Sequence, residues 1–357
     1  MEVMVLNDEF EIIDYIDNFT SLEWVQRYYE AGEFVMNLPY AATGEDTSIK
    51  RNRYLQREDS EAIMIIENVK TARSSSAGNS TEAKGRSMES ILERRIVWKQ
   101  TNTKAGETVE VFLRRLVTEN CISPTDTKRK IPRLKLGTLQ GFTEKMDKQI
   151  TGDDLLTVIS DTCKTYQYGF KITLDDEKNL VFQLYKGTDR SYDQQQNPYV
   201  VFSDDYDNLV NTEHEEDQSN YANVALIGGE GEGTDRRYQT IGTAEGMERY
   251  EMFVDAKDVS SNNGEIAEAE YNNLLIERGN EKLAENIIQE SYTGEVETTR
   301  TYIFREDYGL GDIVQIEDEG RSAKVRVLEA IESENGNGYK VVPTFGTWEV
   351  QIQAWQL

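Results

Sequence analysis

Residues 22–38 read LEWVQRYYEAGEFVMNL. Leu22, Trp24 and Tyr28 lie before the turn signal Glu30-Ala31-Gly32, and Phe34, Met36 and Leu38 alternate after it, a pattern that predicts a β-hairpin. Downstream, Ala62-Ile63-Met64-Ile65-Ile66 is apolar on both faces and predicts a strand covered on both sides, with Pro39 and Gly44 punctuating the connection. The small polar stretch 74–84 (SSSAGNSTEAK) predicts a loop.

Two short amphipathic helices are expected next. In the first, Met88, Ile91 and Leu92 share a face with Ser87 as a cap; in the second, Val109, Phe112, Leu113, Leu116 and Val117 keep the helical rhythm. Their Arg94-Arg95 and Arg114-Arg115 pairs read as solvated faces or ion pairs within the chain. Thr151 and Asp154 precede Leu155, Val158, Ile159, Cys163 and Tyr166 and predict a third, capped helix. Strands are expected at 168–174, 180–185, 199–202, 223–227 and 238–241, with a mobile glycine-rich turn at 228–233. Residues 265–288 read as helix interrupted at Gly279, and the last 65 residues as β-structure again, with turns at Gly309, Gly311 and Glu334-Asn335-Gly336-Asn337. The strand–turn–strand of 32–38 is faintly echoed at 170–185.

At 357 residues, 38% hydrophobic and 29% charged with 5 prolines, the chain is long and apolar enough for two or three folded domains. No run approaches the roughly 18 apolar residues of a membrane span, and the start MEVMVLNDEFEIID is acidic, so a soluble protein without an export signal is expected. Cys121 and Cys163 sit in apolar helical patterns and read as reduced core thiols. The formal charge is −27, which disfavours general nucleic-acid binding. Residues 84–148 depart from this with 15 Lys+Arg against 8 Asp+Glu, net +7, which leaves −34 for the remainder.

Positive signals for catalysis are missing. His214 is the single histidine, no Gly-x-Ser-x-Gly elbow accompanies it, and His214-Glu215-Glu216-Asp217-Gln218 lacks the second histidine of a zinc-protease helix. The acidic stretch 204–217 lacks calcium-loop spacing and reads as a solvated loop. Gly228-Gly229-Glu230-Gly231-Glu232-Gly233 puts two glutamates where a phosphate would sit, without a following Lys-Ser/Thr. No catalytic, cofactor-binding or metal-binding residue is assigned, and no cofactor is expected.

Several strings taken together resemble the tail-hub proteins of long-tailed phages and prophages. They are Leu22-Glu23-Trp24 with Arg27-Tyr28 and Gly32-Glu33-Phe34; residues 85–96 (GRSMESILERRI); Arg129-Lys130-Ile131-Pro132; and the turn from Gly228 to Arg236. The helix from Leu274 to Leu283 with Gly279, followed by Tyr308-Gly309-Leu310-Gly311-Asp312-Ile313-Val314, completes the pattern in order over most of the chain. The resemblance implies an α+β, mainly β fold with two tube-like β-barrel domains and interspersed helical elements. The segments expected are 1–75 (first β-domain), 76–168 (mixed helical and basic), 169–260 (second β-domain), 261–289 (helical) and 290–357 (strands completing the β-domains). It further implies a homotrimeric, non-enzymatic ring in the virion tail tip or baseplate, built in the host cytoplasm. Its expected partners are the tail tube, distal tail protein, tape measure protein and a spike, fibre or receptor-binding protein, with DNA only in transit and cell-facing parts on separate polypeptides.

An acidic wall lets DNA slide where a basic one would hold it, so acidic side chains of the β-domains are expected to line the channel, with Arg94, Arg114 and Arg129 elsewhere. The alternatives are a carbohydrate or cell-surface binding module, suggested by 19 tyrosines and 4 tryptophans, and a wall-degrading tail enzyme.

Overall fold

The computed structural model describes residues 2–39, 48–74, 78–206, 208–296, 302–318 and 321–349, without the side chains of 74, 78, 79, 204, 209–214, 289–296, 318, 321 and 347–349. With 39% strand and 20% helix the chain is α+β and mainly β, as expected. It forms two compact units, each assembled from separated segments: unit 1 from residues 1–90, 168–215 and 291–357, and unit 2 from 91–167 and 216–290.

Unit 1 is built on a 13-stranded sheet. Its main path runs through the strands Leu209–Asp217, Gln289–Val296, Gly338–Glu349, Arg321–Asn335, Ser21–Arg27, Glu33–Pro39, Gly78–Ser87, Ile63–Ser74, Tyr54–Arg57, Val3–Leu6 and Ile12–Ile16. Val201–Ser203 joins through Ile313–Asp318, which pairs with Arg321–Asn335. The expected hairpin is present, with Trp24 opposite Phe34 and Leu22 opposite Met36. The described strands form no closed barrel: the path is open and ends at Leu209–Asp217 and Ile12–Ile16, which do not pair with each other. One core cluster gathers Trp24, Phe34, Met36, Leu55 and Met64 beneath the N-terminal strands, and another gathers Phe202, Tyr308, Val325 and Phe345 beneath the C-terminal ones. The expected two-sided burial of 63–66 holds, with all four side chains buried.

The loop expected at 74–84 is instead largely strand. Gly78–Ser87 pairs with both Glu33–Pro39 and Ile63–Ser74, while 75–77 lie outside the described residues. Pairing on both sides overrides the weak β-propensity of Ser, Asn and Gly. Gly85 is required there, because a Cβ would sit 1.7 Å from the Ile65 carbonyl oxygen. Met88–Arg94 forms a 3-10 segment rather than an α-helix, and the Ser87 hydroxyl accepts the Gly32 amide at 2.7 Å. Gly44 lies outside the described residues.

Unit 2 holds the helices α1 (Val109–Val117), α2 (Leu155–Tyr166) and α3 (Glu268–Glu285). Thr108 caps α1, and Asp154 caps α2 by accepting the Thr157 amide at 2.8 Å. A three-stranded sheet places Val224–Gly228 between antiparallel Tyr238–Ile241 and parallel Glu251–Asp255. Tyr271, Leu274 and Leu275 of α3 pack on Ala225, Ile227 and Val254 of this sheet. Gly279 does not interrupt α3: the helix runs on, and the missing side chain admits Ile227 and Ile241, which a Cβ would meet at 2.7–2.9 Å. Close packing explains the glycine where sequence punctuation did not.

Candidate functional site

In unit 1 Tyr28 of the N-terminal string meets Gly311 of the C-terminal one. Tyr28 is fully buried, and a Cβ on either Gly169 or Gly311 would lie 2.2 Å from its Cε2. Gly311 takes φ +85°, a conformation glycine adopts without strain, and Gly187 packs against its backbone. Asp312 then accepts the amides of Thr188 at 2.6 Å and Gly309 at 3.0 Å and pairs with Arg190 at 2.8 Å. Arg27, beside Tyr28, bonds Glu33 and Glu329, each at 2.6 Å, and so ties the hairpin to a strand from the far end of the chain. These residues position backbone.

Unit 1 also contains a cleft of about 740 Å³ whose lining includes Arg27, Asp59, Glu61, Glu89, Lys171 and Arg305. Several of its charges are matched: Lys171 with Glu61 at 2.6 Å, and Asp59 with Arg57 at 2.5 Å and Arg305 at 3.1 Å. Burial alone would raise the Asp59 carboxyl, yet Arg57 and Arg305 hold it below its ordinary value. Behind it Glu332, fully buried, takes charge from Arg57 and Arg305 and a hydrogen bond from Tyr339. Glu89 is buried and its carboxyl is raised by desolvation, although it accepts the Ile172 amide at 2.7 Å. Sequence reading missed this network because Arg57 and Glu332 are 275 positions apart in ordinary strand patterns.

Three of the four paired arginines are engaged within unit 2, and Arg94 is exposed. Arg114 donates to the Gly137 and Thr138 carbonyls, Arg115 binds Glu107, and Arg95 donates to the Arg129 carbonyl. Burial raises Cys121 to about 12 and raises Cys163 further, consistent with inert core thiols. Lys148 is paired with Glu281 and donates to Thr162 at 3.1 Å, linking α2 to α3. The turn 228–233 is anchored rather than free: Arg236 grips the Gly228 carbonyl at 2.8 Å and Asp255 at 2.5 Å, and Tyr271 accepts the Glu230 amide. The acidic stretch 204–217 is not a loop throughout, since 209–217 form a strand; the side chains of Asp204, Asp207 and 209–214, His214 included, lie outside the described residues. Among the described residues no group of three or more His, Cys, Asp and Glu side chains is placed to hold a metal.

Two surfaces carry exposed apolar groups, the second flanked by the Arg236 guanidinium, 5.7 Å from the Tyr238 ring centroid and 5.3 Å from that of Phe253. The sheet's terminal strand Ile12–Ile16 exposes Ile12, Ile13 and Tyr15, and the outer face of the small sheet in unit 2 exposes Leu226, Tyr238 and Phe253. Contiguous apolar exposure of this kind marks interaction sites. No helix among the described residues is long and apolar enough to cross a membrane.

The fold is shared with phage tail proteins. The tail protein from Neisseria meningitidis MC58 superposes with a TM-score of 0.59 at 14% identity, over 98% of this chain and 97% of that one. The 43 kDa tail protein of prophage MuSo2 from Shewanella oneidensis gives 0.58 at 11% identity, over 97% and 98%. Prophage tail protein gp18 from Listeria monocytogenes EGD-e gives 0.55 at 12% identity, over 99% and 96%. No curated protein matches the sequence. The family model of the Siphovirus ReqiPepy6 Gp37-like proteins matches residues 2–347, and the chain belongs to that family.

Proposed function

We propose that the chain is a structural hub of a phage tail tip or baseplate, acting in the virion after assembly in the host cytoplasm. Three copies close around an axis, join the tail tube and distal tail protein to a spike or fibre, and give the genome passage. The observation that carries this reading is an open 13-stranded sheet ending in the strand Ile12–Ile16, which among the described strands pairs only with Val3–Leu6 and exposes Ile12, Ile13 and Tyr15, in a fold shared with phage tail proteins. Such an edge is a hazard for a free monomer and an asset for a subunit. The acidic excess of −34 outside residues 84–148 suits a wall from which DNA is repelled.

The test is electron microscopy of the purified chain with its tube and distal tail proteins. Rings with a central channel are expected; isolated particles under conditions where those partners assemble would overturn the reading. A carbohydrate-binding surface is a second reading, supported by the outward Leu226, Tyr238 and Phe253 face, and retention on a glycan array that is lost in Phe253→Ala would promote it.

A further inference from the structure

We infer that the surface around Trp98 in one copy docks the acidic edge strand Ile12–Ile16 of a second copy; the inference rests on the ring reading and names one contact within it. Trp98 is 62% exposed, and the Arg129 guanidinium lies 5.0 Å from its ring centroid. Arg129 donates to the Ile96 carbonyl at 2.7 Å, and its own carbonyl accepts Arg95 at 2.6 Å, so residues 94–99 and 128–130 form one built surface. Arg94, Lys99, Lys128 and Lys130 are exposed on these segments, and none has an anionic partner among the described residues. An exposed aromatic side chain under one guanidinium, on segments that carry four further exposed cations, is the composition of a binding hot spot for an acidic protein surface.

The same chain supplies the complement. Ile12, Ile13 and Tyr15 are exposed on the terminal strand of the sheet, interleaved with exposed Glu11, Asp14 and Asp17. Two such edges brought together would set carboxylate against carboxylate, so like-to-like pairing of this strand is opposed. A basic surface with an apolar centre neutralises the acids and covers the isoleucines at once. The two patches differ, so the contact is heterologous and repeats around a ring. Trp98 with cations is also suited to stacking on a nucleic acid, but phosphate leaves the apolar edge uncovered and meets a chain of charge −27.

Sedimentation of the full chain across concentration and salt tests this. Self-association that weakens with salt is expected, with Lys128→Glu/Lys130→Glu and Glu11→Lys/Asp14→Lys each weakening it about tenfold and the combined variant restoring it. Trp98→Ala is expected to weaken it with no change in unfolding temperature. Association unchanged in these variants overturns the contact and leaves the ring standing. Loss of duplex or single-stranded DNA retention with association intact overturns it in favour of a nucleic acid. A wild-type chain that stays a single copy with or without its tail partners overturns both.

Discussion

Arg57 Nη1 and Glu332 Oε2 lie 3.0 Å apart with neither side chain exposed. The pair sits between the strands Tyr54–Arg57 and Arg321–Asn335, with Trp24 directly opposite Glu332 in register. Arg305 and Tyr339 converge on the same carboxylate. Removing one member of such a group leaves buried charge behind, which is costlier than losing the attraction itself. Glu332→Ala should therefore lower unfolding stability by about 3 kcal/mol. The double variant Arg57→Met/Glu332→Leu should lose clearly less, and urea titration of the two variants measures the difference.

The Glu89 carboxyl has a folded value raised above its ordinary 4.5 by desolvation. A raised group contributes stability that is fully present below the unfolded value and is lost as pH climbs through the folded value. Glu89→Gln keeps an acceptor for the Ile172 amide and removes the charge. Its melting temperature should exceed that of the wild type at pH 7–8 and converge with it near pH 4; a constant offset across this range would contradict the assignment.

Gly85 tests the strand that replaced the expected loop. Its Cβ position is occupied by the Ile65 carbonyl oxygen, and the obstruction is backbone, which does not rotate away. Gly85→Ala should cost about 3 kcal/mol. Gly106→Ala, with open space but φ +79°, should cost only the left-handed strain of about 1–2 kcal/mol. Thermal unfolding of both variants ranks the two effects.

Both thiols are buried, Cys121 with its value at about 12 and Cys163 raised beyond it. The native protein at pH 8 should react with an aromatic disulfide reagent only at the rate of unfolding, and both thiols should titrate at once in denaturant. Fast reaction of either thiol in the native state would refute the burial.

Local signals were legible where local chemistry decides the outcome. Asp154 before Leu155 announced α2 because the cap and the apolar stripe are neighbours in sequence. The hairpin at 21–39 announced itself through alternation about a turn. Gly279 misled, because a glycine that breaks a helix and a glycine that lets a helix approach a sheet look identical in a string; only Ile227 and Ile241 distinguish them. The strand Gly78–Ser87 was hidden for a related reason, since its stability comes from neighbours on both sides rather than from its own residues. The Trp98 surface left a trace as the basic segment 84–148, but the joining of 94–99 to 128–130 needed the Arg129 and Arg95 hydrogen bonds to appear.

Arg27 bonds Glu329, a residue 302 positions later, and the whole strand Ser21–Arg27 is zipped to Arg321–Asn335. At ribosomal speeds the first strand waits roughly 15 to 60 s for its mate to be made. A nascent polypeptide released before that mate emerges has this strand paired on one side only, with Glu33–Pro39. Translation thus acts as an inspection step, and only chains read through to the late strands are competent to be built into a particle.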